Sequence, residues 1–387
     1  MTTEDYFNPV ELEKRETDYS NPHLFCRNLL IHTPGRPIKS FRNVKVALIG
    51  VDNFLTSSSS VGSTNAPDLI RAELYELYKI KMPGGMRIAD LGNLKTGHSS
   101  RDVYYALRDV LLHLYEHGIL SIVFGASEDI AYASLLCHEA MKQTFNFTTV
   151  QRRLAFTGGT PDEPTPENYL DFFLSSPYLF FYANIAQQAC FVSSDQMDYL
   201  ESHGHDSLRL GSIRYNTFRA EPYLRDAHVA GFDINAVKHA DAPGQVHVSP
   251  NGLLAEDFCQ LTRYAGMSAG IKTIFLTGYY PPADMQGTTA RLAAQAIWYL
   301  LDGMTVYREE QPGKKKHHIQ QYIIHHKMLD YDFVFYKSQS TGRWWVEVPV
   351  TGGKENLLIA CSEEDYHAVC NEEIPGRWWK IHQKMNG

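Results

Sequence analysis

Three carboxylates follow apolar segments of the sequence and are the side chains best placed to do chemistry. Ser127, Glu128 and Asp129 come just after the apolar run 119–124, and Asp233 ends a later apolar run. Carboxylates gathered in one pocket pair well with a guanidinium or an amine. We therefore predict an acidic pocket for a small cationic ligand, with a second interpretation of Asp129 as a cap on the helix that follows. No Gly-x-Ser-x-Gly motif surrounds Ser127, so a serine nucleophile is not expected.

The elements that position these side chains are predicted to alternate between strand and helix. Short apolar runs are typical of buried strands, and the segments between them carry apolar residues at helical spacing. This alternation predicts an α/β fold with a parallel sheet flanked by helices on both faces, in which ligands bind at the carboxyl ends of the strands. The predicted strands are 44–50, 119–124, 154–156, 189–192, 208–212, 229–233 and 272–276, and the predicted helices include 101–117, 129–142, 167–174, 252–267 and 288–302.

The domain organisation is predicted from changes in composition along the chain. An N-terminal arm (1–40) precedes an α/β domain (41–310), and an aromatic-rich C-terminal appendage (311–387) follows. Alternating segments at 331–337 and 344–350 predict that the appendage contains a β-hairpin, with a helix, packed on the core. Paired tryptophans are predicted to anchor the appendage or to form a subunit contact, with ligand stacking as the alternative. These tryptophans are Trp344, Trp345, Trp378 and Trp379.

Five segments resemble, in order, motifs of the ureohydrolase superfamily, which comprises arginase, agmatinase and formimidoylglutamase. Segment 122–129 (Ile-Val-Phe-Gly-Ala-Ser-Glu-Asp) lies where the family has Gly-Gly-Asp-His-Ser. Segment 231–244 (Gly-Phe-Asp-Ile-Asn through Asp-Ala-Pro-Gly) resembles Ser-Phe-Asp-x-Asp followed by Ala-Pro-Gly. The other three are 46–51 with the Gly-Ser-Thr-Asn-Ala-Pro and Ile-Arg stretches of 62–71, 154–162 in place of Asp-Ala-His-x-Asp, and 281–290. The resemblance covers 44–305 and is closest to formimidoylglutamase.

The resemblance implies an arginase-like three-layer sandwich and a pair of manganese ions at the strand ends. The ions are held by imidazoles and carboxylates, and they activate a bridging hydroxide that attacks an amidine or guanidine carbon. The family's ligand and substrate positions can be carried over to this sequence residue by residue. Of these positions, only Asp233 keeps the side chain that the family has. Glu128 offers a carboxylate where the family has an imidazole. The vestigial pocket is Ser127, Glu128, Asp129, Thr157, Gly159, Pro161, Asp233, Asn235 and Gly278.

The charge of this residue set predicts that no metal cofactor is bound. Two manganese ions bring four positive charges, whereas Asp233 and Glu128 supply at most two negative ones. Neutral Thr, Gly, Pro and Asn at the remaining positions leave such a cluster short of both charge and ligands. We therefore expect neither a binuclear centre nor ordinary ureohydrolase turnover.

Three hypotheses for function follow. The first is an arginase-like protein that has lost its manganese site and acts by binding, as a regulatory or scaffold subunit. The alternative is a manganese-dependent hydrolase of C–N bonds in linear amidines (formimidoylglutamate, arginine or agmatine) with a rearranged site. That site would need ligands such as Asp162, His239 or Asp241 around Asp233 and Glu128. The third is a purely structural subunit that uses its tryptophan-rich tail; the resemblance itself implies a homo-oligomer.

Composition excludes several other classes. The 387 residues carry 36 Lys and Arg against 44 Asp and Glu, a net charge of −8, which argues against a nucleic-acid binder. No apolar run reaches the length of a membrane-spanning helix, about 18 residues. The six cysteines form no Cys-x-x-Cys pair, and the first residues are polar and acidic, so we expect free thiols and a cytoplasmic protein.

Two further clusters resemble metal sites and are interpreted otherwise. The tripeptide Asp226-Ala227-His228 precedes the strand that Asp233 ends, so about 16 Å of extended chain separates it from that residue. We predict a surface turn there. A histidine-rich patch beside three lysines is predicted to be a solvated, weakly basic face, because adjacent histidines point apart. Its members are His317, His318, His325 and His326.

Overall fold

The structure, a computed structural model, describes residues 3–11, 21–52, 54–56, 59–62, 64–97, 99–306, 310, 312, 318–352 and 355–387. Its strands are β1 Phe7–Asn8, β2 Leu29–Ile31, β3 Val44–Gly50, β4 Phe54–Thr56, β5 Ser59–Gly62, β6 Arg87–Leu94, β7 Leu120–Phe124, β8 Phe145–Val150, β9 Leu179–Gln187, β10 Asp206–Arg209, β11 Val229–Asp233, β12 Thr273–Thr277, β13 Ile319–His326, β14 Tyr331–Ser338, β15 Trp344–Val348 and β16 Leu357–Cys361. Its helices are α1 Thr3–Tyr6, α2 Ala66–Glu76, α3 Ser100–Glu116, α4 Tyr132–Met141, α5 Tyr169–Ser175, α6 Ser194–Ser202, α7 Leu210–Tyr215, α8 Glu221–Arg225, α9 Ala255–Gly266, α10 Thr288–Thr305, α11 Glu363–Cys370 and α12 Gly376–Asn386.

A ten-stranded sheet forms the centre of the molecule, in the order β1-β6-β3-β7-β12-β11-β8-β9-β10, with β2 also paired to β6. Every pairing in it is parallel except that of β1 with β6. The four inner strands β7, β12, β11 and β8 therefore end at the same edge. These strands are rich in apolar and β-branched residues, which suit a sheet that is covered on both faces.

Helices cover both faces of this sheet, as the alternation of predicted elements indicated. Helices α2, α7, α8, α9 and α10 bury their apolar sides in one core, whereas α3, α4, α5 and α6 bury theirs in a second core on the opposite face. The start of α3 is fixed by a capping box, in which Ser99 and Asp102 satisfy each other's backbone nitrogens. The result is a three-layer α/β sandwich.

A separate antiparallel sheet occupies the C-terminal region, in the order β13-β14-β15-β16. The predicted hairpin is present as β14 and β15, which pair antiparallel. Helices α11 and α12 complete this unit, and Phe181 and Ala183 of the central sheet belong to its apolar core. The two Gly-Arg-Trp-Trp segments have different structures, since one lies in β15 and the other begins α12.

Four predicted segments differ from the structure. The predicted strand 208–212 is a strand only as far as Arg209, because α7 begins at Leu210. Residues 154–156 are buried but form no strand, and the strand lies earlier, in β8. Residues 189–192 contain a turn of 3-10 helix (Ala189–Phe191) rather than a strand. The described part of the predicted arm (1–40) contributes β1 and β2 to the edge of the central sheet, so it is integrated into the fold.

Two general predictions can be compared directly with the coordinates. Within the described residues, no helix is both long enough and apolar enough to cross a bilayer. All six cysteines are free thiols, as expected; those at positions 137, 259 and 361 are buried, and those at 190 and 370 are exposed.

Candidate functional site

The carboxyl ends of the four inner strands bring Glu128 and Asp233 together. Glu128 begins the 3-10 turn that follows β7, Asp233 is the last residue of β11, and β12 lies between these strands. Both side chains are buried, with 8% and 2% of their surface exposed. Burial, and then the charge of Glu128, raise the pKa of Asp233 well above its usual range. The two acids therefore form one interacting pair at this edge of the sheet.

The carboxylate of Asp233 is already bound by hydrogen-bond donors from Asn235. The backbone nitrogen and Nδ2 of Asn235 each donate to Oδ1 of Asp233, both at 2.8 Å. The amide oxygen of Asn235 is buried and has no hydrogen-bond partner among the described residues. The side chain of Asn235 therefore presents an N–H donor to Asp233, where the side chain of an aspartate would present only acceptors.

Gln151 and Arg152 also lie at this site, and the sequence patterns identified neither of them. Phe232 pairs with Val150, so the residue that continues β8 beside Asp233 is Gln151. The Gln151 side chain accepts a hydrogen bond of 3.0 Å from the hydroxyl of Tyr169. The pattern that could have found them is the alternation Phe-Asn-Phe-Thr-Thr-Val in β8, which is typical of a strand.

Arg152 places a guanidinium next to the acidic pair. Its side chain is buried, its Nη1 has no hydrogen-bond partner among the described residues, and its guanidinium lies 5.0 Å from the ring centroid of Phe191. Burial lowers the pKa of Arg152, and the negative charges of Asp233 and Glu128 oppose that shift. A fixed positive charge therefore stands in the same pocket as the two carboxylates.

Gly278 follows β12 directly and lies next to the side chains of Asp233 and Asn235. Its φ of +82° favours glycine. A Cβ at this position would lie 2.3 Å from Oδ1 of Asp233 and 2.6 Å from Nδ2 of Asn235. The hydrogen bond between those two side chains therefore fills the space that a larger residue at 278 would require.

Asp129 and Ser127 belong to a neighbouring buried network. The hydroxyls of Ser127 and Tyr104 both donate short hydrogen bonds to the Asp129 carboxylate, which is almost completely buried. Burial raises the pKa of Asp129 to about 6. The predicted capping role is not observed, since the following helices have no side-chain cap from Asp129. Asp129 instead links the β7 end to α3.

The structure places Thr157, Gly159 and Pro161 in a loop that encloses Asp171 of α5. The backbone nitrogen and hydroxyl of Thr157 donate to Asp171 at 3.0 and 2.9 Å, and Gly158 adds a third donor. Thr157 and Gly159 are exposed. Thr157 is the seventh residue after the end of β8, so the residues that follow the strand directly are Gln151 and Arg152 and not Thr157.

The tripeptide at 226–228 is a half-buried turn and not the surface turn that was predicted. Oδ2 of Asp226 accepts hydrogen bonds from the backbone nitrogen of Ala360 and from Arg377, at 2.9 and 2.8 Å. Nδ1 of His228 accepts one from Asn146. The segment therefore attaches the C-terminal sheet to the α/β domain, one strand length from Asp233.

The histidine-rich patch is only partly solvated. His317 lies outside the described residues, and His318 is exposed. His325 is exposed and its Nδ1 lies 2.9 Å from Asp332. His326 is 2% exposed and packs on an aromatic ring of β14, so the prediction of a solvated face is wrong for this residue.

Three of the four paired tryptophans pack internally. Trp344, Trp345 and Trp378 are buried, whereas Trp379 is 40% exposed. A cavity of about 330 Å³ lies between the two sheets and is lined by Trp345 together with arginines 225, 343 and 377. Arg225 and Arg377 each donate to groups of the opposite unit, so these arginines hold the two units together.

Comparison with solved structures supports the fold. No protein-family model and no curated protein matches the chain. A formiminoglutamase from Trypanosoma cruzi, solved with manganese, superposes with a TM-score of 0.64 at 15% identity, covering 70% of this chain and 96% of its own. Formimidoylglutamase from Bacillus subtilis gives 0.64 at 16% identity, covering 77% and 97%. Agmatine ureohydrolase from Thermoplasma volcanium gives 0.55 at 17%, covering 69% and 92%. The chain therefore has the arginase-like fold that these structures share.

Proposed function

We propose that this chain is an arginase-fold protein without a binuclear manganese centre, which acts by binding, as a regulatory or scaffold subunit. The observation that carries the proposal is how the charge of Asp233 is balanced, by two neutral N–H donors of Asn235 and by the positive charge of Arg152. Asn235 donates two hydrogen bonds to this carboxylate, and Arg152 adds a guanidinium whose charge interacts with it. A metal ligand must offer a lone pair to the cation, whereas the Asn235 side chain offers Oδ1 of Asp233 a donor and Arg152 adds positive charge to the pocket.

The residues at the site do not fit two manganese ions. Glu128 and Asp233 supply at most two negative charges, and Arg152 cancels one of them. Burial and the charge of Glu128 raise the pKa of Asp233. Within the described residues, three metal-ligating side chains with donor atoms within 4.8 Å of one another occur at positions 113, 116 and 117 of α3, and not at this pocket.

The guanidinium of Arg152 also argues against the predicted binding of a cationic ligand. An external guanidinium or amine would enter a pocket in which the positive charge of Arg152 already acts on Glu128 and Asp233. We therefore expect the native protein to bind such ligands weakly, and we place its binding function on its surfaces, as a homo-oligomer or as a subunit of a larger assembly.

The rearranged hydrolase remains the alternative, and two of its candidate ligands are unsuited to the role. Oδ1 of Asp241 pairs with Lys238 at 3.3 Å and its Oδ2 accepts a hydrogen bond from the backbone of Ala255. Asp162 is exposed. His239 is the candidate that keeps a buried Nδ1 without a hydrogen-bond partner in the described part of the chain.

Metal content and turnover of the native protein test the proposal. The protein is purified without chelators, its manganese is measured by elemental analysis, and it is incubated with MnCl2 and N-formimidoyl-L-glutamate, L-arginine or agmatine. We expect far less than one manganese per chain and no release of formamide or urea. Near-stoichiometric manganese together with release of either product would overturn the proposal in favour of the hydrolase.

A matched variant makes a negative result informative. Asn235→Asp restores the carboxylate that the family has at this position, but it leaves Arg152 and Gln151 in place. We expect this variant to remain without manganese, because one additional acid does not supply the missing ligands. Manganese uptake by Asn235→Asp alone would show that a single substitution separates this chain from a metal site.

A further inference from the structure

A second group of metal-ligating side chains lies at the C-terminal end of α3, remote from Asp233. His113, Glu116 and His117 occupy positions i, i+3 and i+4, so they share one face of the helix. One donor atom from each lies within 4.8 Å of the others. This end of α3 precedes β7, and Glu128 follows β7, so the strand length, about 16 Å, separates the group from the acidic pair.

The imidazole of His117 is oriented by its own helix. Nδ1 of His117 lies 2.7 Å from the carbonyl oxygen of His113. A carbonyl only accepts, so Nδ1 carries the proton and Nε2 keeps a free lone pair for a metal. The rings of His113 and His117 are 4.3 Å apart, and the ring of Phe41 packs edge-on against His113 at 5.9 Å. The hydrogen bond of His117 and the packing of Phe41 on His113 therefore position two of the three ligands.

Helix capping alone does not account for this arrangement. At the end of α6, His203 makes the same contact, with Nδ1 2.8 Å from the carbonyl oxygen of Tyr199. There, the residue four positions earlier is a tyrosine, whose ring stacks on the histidine at 4.0 Å. The end of α3 has the same cap and adds a second imidazole and a carboxylate.

We propose that His113, Glu116 and His117 bind a single zinc-class divalent ion. Two imidazole nitrogens and one carboxylate oxygen are a ligand set that Zn²⁺ accepts, with water in the fourth position. Glu116 and His117 are exposed and His113 is half-buried, so the ion enters from solvent without any opening of the fold. The ion would bridge three side chains at the C-terminal end of α3 and so stabilise the end of the helix.

Zinc uptake by the full chain tests this site. Protein stripped with EDTA and dialysed is equilibrated with ZnCl2, and bound zinc is measured by elemental analysis while the Tm is followed with and without zinc. We expect one zinc per chain and a rise in Tm. His113→Ala and His117→Ala should each weaken zinc binding by tenfold or more and remove the rise in Tm.

Two control variants distinguish zinc binding at the end of α3 from zinc binding by histidines elsewhere in the chain. His203→Ala removes an equivalent capping contact and should bind zinc like the native chain. A variant with His317→Ala, His318→Ala and His325→Ala removes all of the histidine-rich patch except the buried His326 and should also bind normally. The proposal is overturned if the native chain takes up no zinc, if His117→Ala binds as well as the native chain, or if either control loses binding equally. None of these outcomes depends on manganese or on the pocket at Asp233.

Discussion

Asn235 and Asp233 form a closed pair in which one carboxylate oxygen, Oδ1 of Asp233, accepts two hydrogen bonds of 2.8 Å from the same asparagine. A Cβ at position 278 would lie 2.3 Å from the same oxygen, so Gly278 packs closely against this pair. Arg152 supplies positive charge to the same carboxylate and to Glu128. Asp233 is therefore satisfied within the chain, by hydrogen bonds from Asn235 and by the positive charge of Arg152 in the same pocket.

Replacing Arg152 by alanine should destabilise the fold, because two buried carboxylates then lose their compensating charge. No ion pair within 4.0 Å joins Arg152 to either acid among the described residues, so we expect a cost of about 1–2 kcal/mol, below the roughly 3 kcal/mol typical of a broken buried ion pair. The pKa of Asp233 is already raised in the folded protein, and it rises further without Arg152. A raised carboxyl pKa means that stability is lost as the pH rises, so the deficit should be larger at pH 8 than at pH 5 in urea unfolding.

Chemical rescue distinguishes this charge effect from a loss of packing. Methylguanidinium at millimolar concentration should raise the Tm of Arg152→Ala, because it can occupy the space and pair with Glu128 and Asp233. Arg153→Ala is the matched control. Arg153 is only half-buried, donates to the carbonyl of Pro166 and should cost less than about 1 kcal/mol, with no rescue. Equal losses in both variants, or rescue of both, would contradict the role of Arg152.

Gly278→Ala should cost more than the same change at Gly158. Both glycines have positive φ values, +82° and +76°, so both incur about 1–2 kcal/mol of backbone strain on gaining a Cβ. At 158 the new methyl meets nothing within 4 Å, whereas at 278 it lies 2.3 Å from Asp233. We expect an additional cost of about 2 kcal/mol at 278. Matching free energies of unfolding for the two variants would argue against a closed contact at Asp233.

Much of the central sheet could be predicted from the sequence, because apolar runs such as Val44–Gly50 and Val229–Asp233 stand out from polar neighbours. The strand Phe145–Val150 was not predicted because Asn and Thr interrupt its apolar pattern. Residues 154–156 resemble a strand in sequence instead, since they are apolar, and they are indeed buried. Burial alone does not distinguish a strand from an irregular segment packed under a helix.

The site was predictable where residue type and strand end coincide, as for Glu128 and Asp233. Arg152 was not predictable by the same route, because the misplaced strand moved the expected site residues to Thr157 and beyond. The direction in which a side chain points at the end of a strand is also difficult to predict from sequence. Asp129 immediately follows Glu128, yet it bonds to Tyr104 on α3, and only packing between elements determines that partner.

Asp129→Asn should reduce the pH dependence of stability between about pH 4 and pH 6. The pKa of Asp129 is raised from 3.8 to about 6 by burial, so the native state holds a proton that the unfolded chain loses. Its contribution is fully present below pH 3.8 and is lost as the pH rises towards 6. The loss amounts to about 3 kcal/mol at most.

Urea unfolding at pH 4 and pH 7 measures this difference in the native chain and in Asp129→Asn. The neutral amide cannot ionise, so the variant should lose less stability between these two pH values than the native chain does. Ser127→Ala is a useful companion, because it removes one donor to the carboxylate and should raise the pKa of Asp129 further. An identical pH profile in the native chain and in Asp129→Asn would show that Asp129 does not titrate in this range.

Trp378 and Trp379 should respond differently to alanine, because only one of them anchors the C-terminal sheet. Trp378 is 3% exposed, donates from Nε1 to the carbonyl of Glu347 at 2.7 Å and packs on Phe333 with ring centroids 4.6 Å apart. Its truncation should cost about 3–5 kcal/mol. Trp379 is 40% exposed, so Trp379→Ala should cost less than about 1 kcal/mol.

Measuring molecular mass together with stability tests the subunit contact predicted for these tryptophans. Urea unfolding reports the packing loss, and light scattering after size exclusion reports the oligomer. If Trp379 contributes to a contact between subunits, Trp379→Ala should lower the mass of the assembly while the unfolding free energy changes little. If Trp379→Ala leaves the mass of the assembly unchanged and only Trp378→Ala lowers the unfolding free energy, the two tryptophans serve packing within one chain. A contact between subunits would require the exposed residue, Trp379, to contribute.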